Sequence, residues 1–192
     1  MRKILIGTHN KGKFNEIAYL ITKKIKKISP TMLRIPSPRE TGKSFSSNSK
    51  LKANFFSKFV NYPVISDDSG LCIKALNNKP GIYSARLAKN KGNFFKAMNF
   101  ILRQLKNKRD RSATFVCSLS FKYPGGKIVT VVGKVKGTIS HSIKGNRGFG
   151  YDPIFILKYH KKTFGEMSKS KKIKIDHRYV AFKKLKRKIK IL

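Results

Sequence analysis

The chain opens on a short apolar run, KILIG (3–7), which predicts a buried strand. NKGKFNEIAYLITKK follows, with Phe14, Ile17, Ala18 and Ile21 at the spacing of one helical face, so a strand–loop–helix opening is predicted. MLRIP (32–36), stopped by PSP, predicts a second short strand. SFSSNSKLKANFFSKFV (44–60) predicts a helix with Ser44 as its N-cap, and PVIS (63–66) a strand that delivers Asp67 and Asp68 at its end. NFFKAMNFILRQL (93–105) has the clearest helical period, with Phe94, Ala97, Met98, Ile101, Leu102 and Leu105 as a core stripe. TFVCSLSF (114–121) alternates, placing Phe115, Cys117, Leu119 and Phe121 on one face. The turn YPGGK and the returning run IVTVVGKV (128–135) complete an antiparallel hairpin. RYVAFKKLKRKIKIL (178–192) predicts a closing amphipathic helix with Ala181, Leu185 and Ile189 inward and lysines outward. Strand–helix alternation with a long hairpin points to a mixed-sheet α/β protein. No repeat, low-complexity linker or compositional break divides residues 1–192, so a single domain is expected.

Composition narrows the class. A chain of 192 residues, 40% of them hydrophobic, can bury a full core. No run approaches the roughly 18 apolar residues of a membrane span, and MRKILIGTHNKGK lacks the apolar stretch of a signal peptide. Two cysteines, Cys72 and Cys117, exclude a disulfide framework and zinc-finger spacing; both lie in strand-like runs and read as buried free thiols. A soluble cytoplasmic protein without a membrane partner is expected.

The balance of 45 basic against 8 acidic residues gives a formal charge of +37 and raises a nucleic-acid reading. Lysine outnumbers arginine 35 to 10, isoleucine, asparagine, phenylalanine and tyrosine are plentiful, and tryptophan is absent. These preferences follow A/T-rich codons, and the lysines are spread along the chain. A solvated surface with no specific nucleic-acid partner is the expectation; a non-catalytic basic nucleic-acid-binding protein is the rival class.

Against that background each surviving acid needs a reason. In VISDDSGLCI (64–73) two aspartates close an apolar run, which suits the holding of a hard cation together with substrate phosphates. The alternative is an Asp-Ser-Gly turn capping its own N–H groups. GTHNKGK (7–13) joins strand to helix and can aim backbone N–H groups, Thr8, Asn10 and Lys13 at a phosphate, though it lacks P-loop spacing. An ordinary capped turn is the plain reading. RGFGYDP (147–153) can offer a flat ring and backbone groups to a base, or simply plug the core. In KIDHR (174–178), His177 and Arg178 suit an oxygen-rich ligand or decorate a helix start.

Order and spacing carry more than any one of these. THNKGK, ETGKSF, DDSGL, PGIYSAR, GFGYDPIF, FGEM and the final K…HR together resemble the inosine/xanthosine triphosphate pyrophosphatase family, over about residues 3–190. The resemblance implies hydrolysis of deaminated purine nucleoside triphosphates (ITP, dITP, XTP) to the monophosphate and pyrophosphate, with Mg²⁺ as cofactor. It implies an elongated mixed sheet with flanking helices, two lobes around a central cleft, and a homodimer. The residues it implies for the triphosphate are Thr8, His9, Asn10, Lys11, Gly12 and Lys13, with Lys52 facing the phosphates. Glu40 and Asp68 are implied as metal ligands, Asp68 also as general base, with Ser69 against the substrate. Phe149, Gly150, Tyr151 and Asp152 are implied to hold the nucleoside, and Lys172, His177 and Arg178 to complete the pocket. Three positions depart from the family pattern: His9 where glycine is common, Ser47 for a glutamate before Asn48, and Asp176 for a serine before His177-Arg178. They leave a catalytically weakened relative as a second alternative.

Overall fold

The computed structural model describes residues 2–189. The chain falls into two compact units, one within Met1–Asp68, Cys117–Gly133 and Arg178–Leu192, the other within Ser69–Val116 and Lys134–His177. A seven-stranded mixed sheet runs in the order β2 (Lys26–Ile28), β1 (Lys3–Ile6), β3 (Val64–Ile73), β5 (Ser112–Lys122), β6 (Ile128–Ile139), β7 (Phe155–Leu157), with β4 (Lys79–Pro80) paired antiparallel to β3.

In the first unit β1 (Lys3–Ile6) pairs parallel with both β2 (Lys26–Ile28) and β3 (Val64–Ile73). The predicted strand at 32–36 does not form. Thr31–Leu33 is a 3₁₀ turn, and Arg34 closes it in the left-handed region at φ 54°. The edge strand lies upstream instead, in KKI, where only Ile28 is buried. An edge needs backbone pairing rather than an apolar pattern, and lysines suit it, so hydropathy hides this strand. Helix α1 (Lys11–Leu20) packs Ile17 against Ile4, Ile6 and Ile65, with Phe14 and Ala18 beside them; Ile21, at its C-cap, belongs to the same core. Helix α6 (His177–Lys188) adds Ala181, Phe182 and Leu185 to the core formed by Cys117, Leu119 and Phe121. Ile189 joins it, and expected helical positions 190–192 lie outside the described residues. Helix α2 (Phe45–Phe56) places Phe56 against Leu5 and Val64. Gly7, after β1, has no room for a Cβ, which would meet Ser66 Oγ and the Phe56 ring.

Strand β3 runs on through Asp67 and Asp68 to Ile73. The Asp-Ser-Gly turn is therefore excluded, and so is a strand ending at residue 66. Likewise β5 (Ser112–Lys122) is buried on both faces over 115–121, so Ser118 and Ser120 are interior too. Ser49 Oγ of α2 lies 2.9 Å from Ser118 Oγ and 2.8 Å from Ser120 Oγ, which keeps these buried hydroxyls hydrogen-bonded.

In the second unit, α3 (Ser84–Asn90) and α4 (Phe94–Gln104) precede β5, and β7 (Phe155–Leu157) pairs antiparallel with β6 (Ile128–Ile139). Asn93 caps α4 by accepting from Lys96 N at 2.9 Å. Phe115 packs on Phe155 (4.6 Å between centroids) and stacks near-parallel on His177 (4.7 Å, 9°). A short helix, α5 (Lys169–Lys172), precedes α6. Cys117 is buried as expected, but Cys72 is only half-buried, and neither is in a disulfide. The mixed α/β sheet flanked by helices is borne out.

Candidate active site

The first-unit residues gather around the loop between β1 and α1. Asn10 is the N-cap of α1, its Oδ1 accepting from Lys13 N at 2.9 Å. Thr8, nearly buried, accepts from Asn10 N at 3.2 Å. Lys11 and Gly12 form the first turn, whose backbone N–H groups give a helix N-terminus its affinity for anions. His9 Nε2 lies 2.9 Å from Ile35 O, and its backbone is not among those with positive φ. Histidine at this position therefore costs no left-handed strain.

Lys13 reaches Asp67, Nζ to Oδ2 3.2 Å, and Arg178 Nε lies 3.8 Å from the same oxygen. Arg178 also donates from Nη1 to Glu16 Oε2 at 2.8 Å. Asp68 has different surroundings: Asn48 Nδ2 donates to its Oδ2 at 3.0 Å, while Asn48 Oδ1 accepts Gly42 N at 2.8 Å. Asn48 thus ties the loop carrying Glu40 to Asp68. Glu40 pairs with Lys52 at 2.8 Å. Ser47, the departure from a glutamate, completes a capping box with Ser44: its Oγ accepts Ser44 N at 2.9 Å, and its N–H donates to Ser44 Oγ at 3.1 Å.

The two adjacent aspartates differ in acidity. Burial alone would raise Asp67, but Lys13, Lys52 and Arg178 outweigh it and hold it at about 2. Burial raises Asp68 above the ordinary carboxylate value; Lys52, Lys13 and the Asn48 hydrogen bond oppose this only in part, and Glu40 adds to it. Burial would lower the Lys52 ammonium, yet Asp67, Asp68 and Glu40 overcome it and hold its proton more tightly than usual. Successive strand positions leave on opposite faces, which lets the two carboxylates acquire separate partners.

Among the described residues no three His, Cys, Asp or Glu side chains converge as a ligand set. Asp68 and Glu40, both bearing on Lys52, are a pair of hard oxygen donors. That fits Mg²⁺, which is commonly held by one or two carboxylates with the remaining positions left to water and phosphate.

In the second unit the GFGYDP segment folds on Asp152. Its Oδ2 accepts Phe149 N at 2.9 Å and pairs with Lys172 Nζ at 2.8 Å, with both side chains almost fully buried. Gly148, at φ 75°, lies where a Cβ would strike that carboxylate. Gly150 follows at φ 67°. Lys172 also lies 5.1 Å from the Phe149 ring centroid and 3.7 Å from Asp176 Oδ2. Asp176 is therefore a second counter-ion of Lys172. Tyr151 is buried, its OH donating to Ser84 O at 2.9 Å and its ring edge-on to Phe94. Its side chain anchors the loop, leaving half-buried Phe149 as the ring the loop can offer to a ligand. Ser69 follows Asp68 in β3, half-buried.

Glu16 and Asn48 are candidate-site residues to which motif reading gave no role, and Asp67, read there only as one of a pair, gains its own partners in Lys13 and Arg178. Glu16 carried one signal, being an acid in a chain with few; Asp67 stood in the aspartate pair and Asn48 behind the Ser47 departure, with neither one's partners readable from the motif.

The Ham1 family model matches residues 4–188. The dITP/XTP pyrophosphatase of Dictyoglomus thermophilum is 41% identical over 192 residues, covering 96% of this chain and 93% of that protein. The enzyme of the same name from Caulobacter vibrioides is 41% identical over 186 residues, 96% of each. Among solved structures, the Ham1 protein of Staphylococcus aureus superposes with a TM-score of 0.87 at 36% identity, covering 98% of both chains. That of Coxiella burnetii gives 0.89 at 32% identity over the full length of both. With the motifs, the mixed sheet and the paired aspartates in agreement over nearly the whole chain, the protein belongs to the Ham1 family.

Proposed function

We propose that this protein hydrolyses deaminated purine nucleoside triphosphates, ITP, dITP and XTP, to the monophosphate and pyrophosphate, and so cleanses the nucleotide pool. The observation that carries this reading is the division of labour between Asp67 and Asp68. Asp67 stays ionised and anchors Lys13. Asp68 accepts a hydrogen bond from Asn48 and has a raised affinity for a proton, which suits a general base. Asp68 takes the proton of the attacking water. Lys13 and Lys52 offset charge on the departing pyrophosphate, and the first turn of α1 with Thr8 holds phosphate oxygens. Phe149, Gly150 and Asp152 hold the nucleoside, with Lys172, His177, Arg178 and Ser69 completing its contacts. Glu40 and Asp68 would hold Mg²⁺, which when bound supplies Lewis-acid polarisation of phosphate oxygens and neutralises their charge. A cytoplasmic homodimer accompanies this reading, resting on the family resemblance; sedimentation of the purified protein tests the dimer.

The deciding experiment measures pyrophosphate release by purified protein from ITP, XTP, dITP, ATP and GTP with Mg²⁺. Turnover of the first three well above the last two, abolished by EDTA and restored by Mg²⁺, is expected. Undiminished turnover in excess EDTA would sink the metal-dependent reading, and no turnover at all would favour the catalytically weakened relative.

A further inference from the structure

Helix α4 has a second face. Ala97, Met98 and Ile101 point into the core. Lys96, Asn99 and Arg103, and Lys106 just past the helix, recur at intervals of three and four residues and share the opposite side. They line a cavity of about 880 Å³ within the second unit, completed by Lys91, Arg111 and His141, and no acid lines it. Arg111 is set into the wall by neutral acceptors: Nε to Ile139 O at 2.8 Å, Nη1 to Leu105 O at 3.0 Å and Nη2 to Ser140 O at 2.6 Å. Beside these cations stands Phe95, 60% exposed.

We propose that this groove binds single-stranded nucleic acid, without reading its sequence, through phosphates along α4 and a base stacked on Phe95. A concave surface lined by one sign of charge focuses potential more than the same charges scattered on a convex one. From Lys96 to Lys106 the helical rise of 1.5 Å per residue spreads the cations over about 15 Å. A compact triphosphate needs cations that converge, whereas a row spaced one to two turns apart suits the repeating phosphates of a strand. An exposed aromatic ring beside a cationic groove is how proteins hold single strands without base-specific contacts.

With a net charge of +37 the competing explanation is attraction spread over the whole surface. Anisotropy titrations of a labelled oligodeoxythymidylate separate the two. The variants are Lys96→Glu/Arg103→Glu/Lys106→Glu in the groove and, with the same change of charge, Lys186→Glu/Arg187→Glu/Lys188→Glu on α6. The groove variant should bind at least ~10-fold more weakly than the α6 variant, and its log–log salt slope should fall by about 2–3, one step per lost phosphate contact. Phe95→Ala should weaken binding by about 5-fold or more, the loss of one stacked base. Equal losses in the two triple variants, or no effect of Phe95→Ala, would overturn the proposal. So would full displacement of the oligonucleotide by an equal concentration of a mononucleotide, since the groove would then be a nucleotide site. Thermal unfolding checks that each variant is folded, and Lys96→Glu alone, a single exposed change, keeps the comparison decisive if the triple variant is not.

Discussion

Arg178, the second residue of α6, donates from Nη1 to Oε2 of Glu16 on α1 at 2.8 Å, across 162 residues of sequence. Both side chains are nearly buried, at 4% and 6% exposure. The same guanidinium stands 3.8 Å from Asp67, which Lys13 approaches at 3.2 Å. A chain of alternating charge therefore runs Glu16–Arg178–Asp67–Lys13, and it clamps the first and last helices of the first unit to the strand that carries the aspartates. Glu16 is one of eight acids in the protein, and Arg178 offsets its cost of burial.

Removing that acid alone should be expensive. Breaking a buried pair leaves its partner uncompensated, typically at ~3–5 kcal/mol; with Asp67 still near Arg178, Glu16→Ala should cost about 3 kcal/mol, the lower end. Glu16→Gln, which keeps an acceptor, should cost less. Urea unfolding in EDTA reads both, and a loss below that of an ordinary exposed substitution would show that the clamp carries no stability.

The main elements of this fold were legible because they obey one period each. The α4 stripe buries Ala97, Met98, Ile101 and Leu105, with Phe94 and Leu102 half-buried, and β5 buries the alternating set 115, 117, 119 and 121. What stayed hidden has a common cause. KKI at 26–28 is a strand by backbone pairing alone, so its side chains give no sign. Ser49, Ser118 and Ser120 are interior because they satisfy one another, a relation between distant segments. For the candidate site, the DDSGL, GFGYDP and K…HR motifs marked segments that carry the buried charged groups. The partner of each group, Glu16 for Arg178, Asn48 for Asp68 or Lys172 for Asp176, became visible only once the chain was folded. Tyr151, an aromatic in a binding-like motif, is buried, with its OH donating to Ser84 O.

Asp68→Asn should lower turnover by at least ~10²-fold, the loss of a general base, while the protein stays folded. Asp67→Asn should also impair the enzyme, but through Lys13 and Arg178, so its loss should appear largely in KM for the triphosphate. Steady-state kinetics on ITP of the two variants decide the assignment: near-native kcat in Asp68→Asn with kcat lost in Asp67→Asn would reverse it.

The same pair predicts opposite responses of stability to acid. Asp67 is depressed from 3.8 to about 2, so its contribution is present above the unfolded value and lost as pH falls through the folded one. The difference corresponds to about 2 kcal/mol. The stability gap between wild type and Asp67→Asn, measured without metal, should narrow by about that much between roughly pH 5 and pH 2. Asp68 is raised, so its ionised form opposes folding at neutral pH and the penalty is relieved as pH falls through its folded value. Asp68→Asn should therefore stabilise the metal-free protein at pH 7, with the gain vanishing on acidification. A constant gap for both variants across this range would mean that neither carboxylate is perturbed.

Base selectivity should rest on Arg178. Hypoxanthine and xanthine carry a 6-keto oxygen, an acceptor, where adenine carries an amino donor, and a guanidinium offers only donors. Opposed to adenine, Arg178 would face another donor in a site where its own side chain is 4% exposed, and a buried donor set against a donor costs a hydrogen bond. Discrimination of this kind reaches ~10⁴ or more, against ~10–200-fold from shape alone. ITP should thus exceed ATP by a wide margin in kcat/KM. Arg178→Ala should shrink that ratio chiefly by losing ITP activity. The substitution also strips Glu16 and Asp67 of a counter-ion, so part of each preparation will be unfolded; the ratio of two substrates on one preparation cancels that fraction. Guanine shares the 6-keto group, so rejection of GTP must come from backbone groups near Phe149–Asp152 that disfavour its 2-amino group. An ITP/ATP ratio unchanged in Arg178→Ala under matched Mg²⁺ would move the whole of the selectivity to the 147–153 segment, where Asp152 and Lys172 already hold the loop in place.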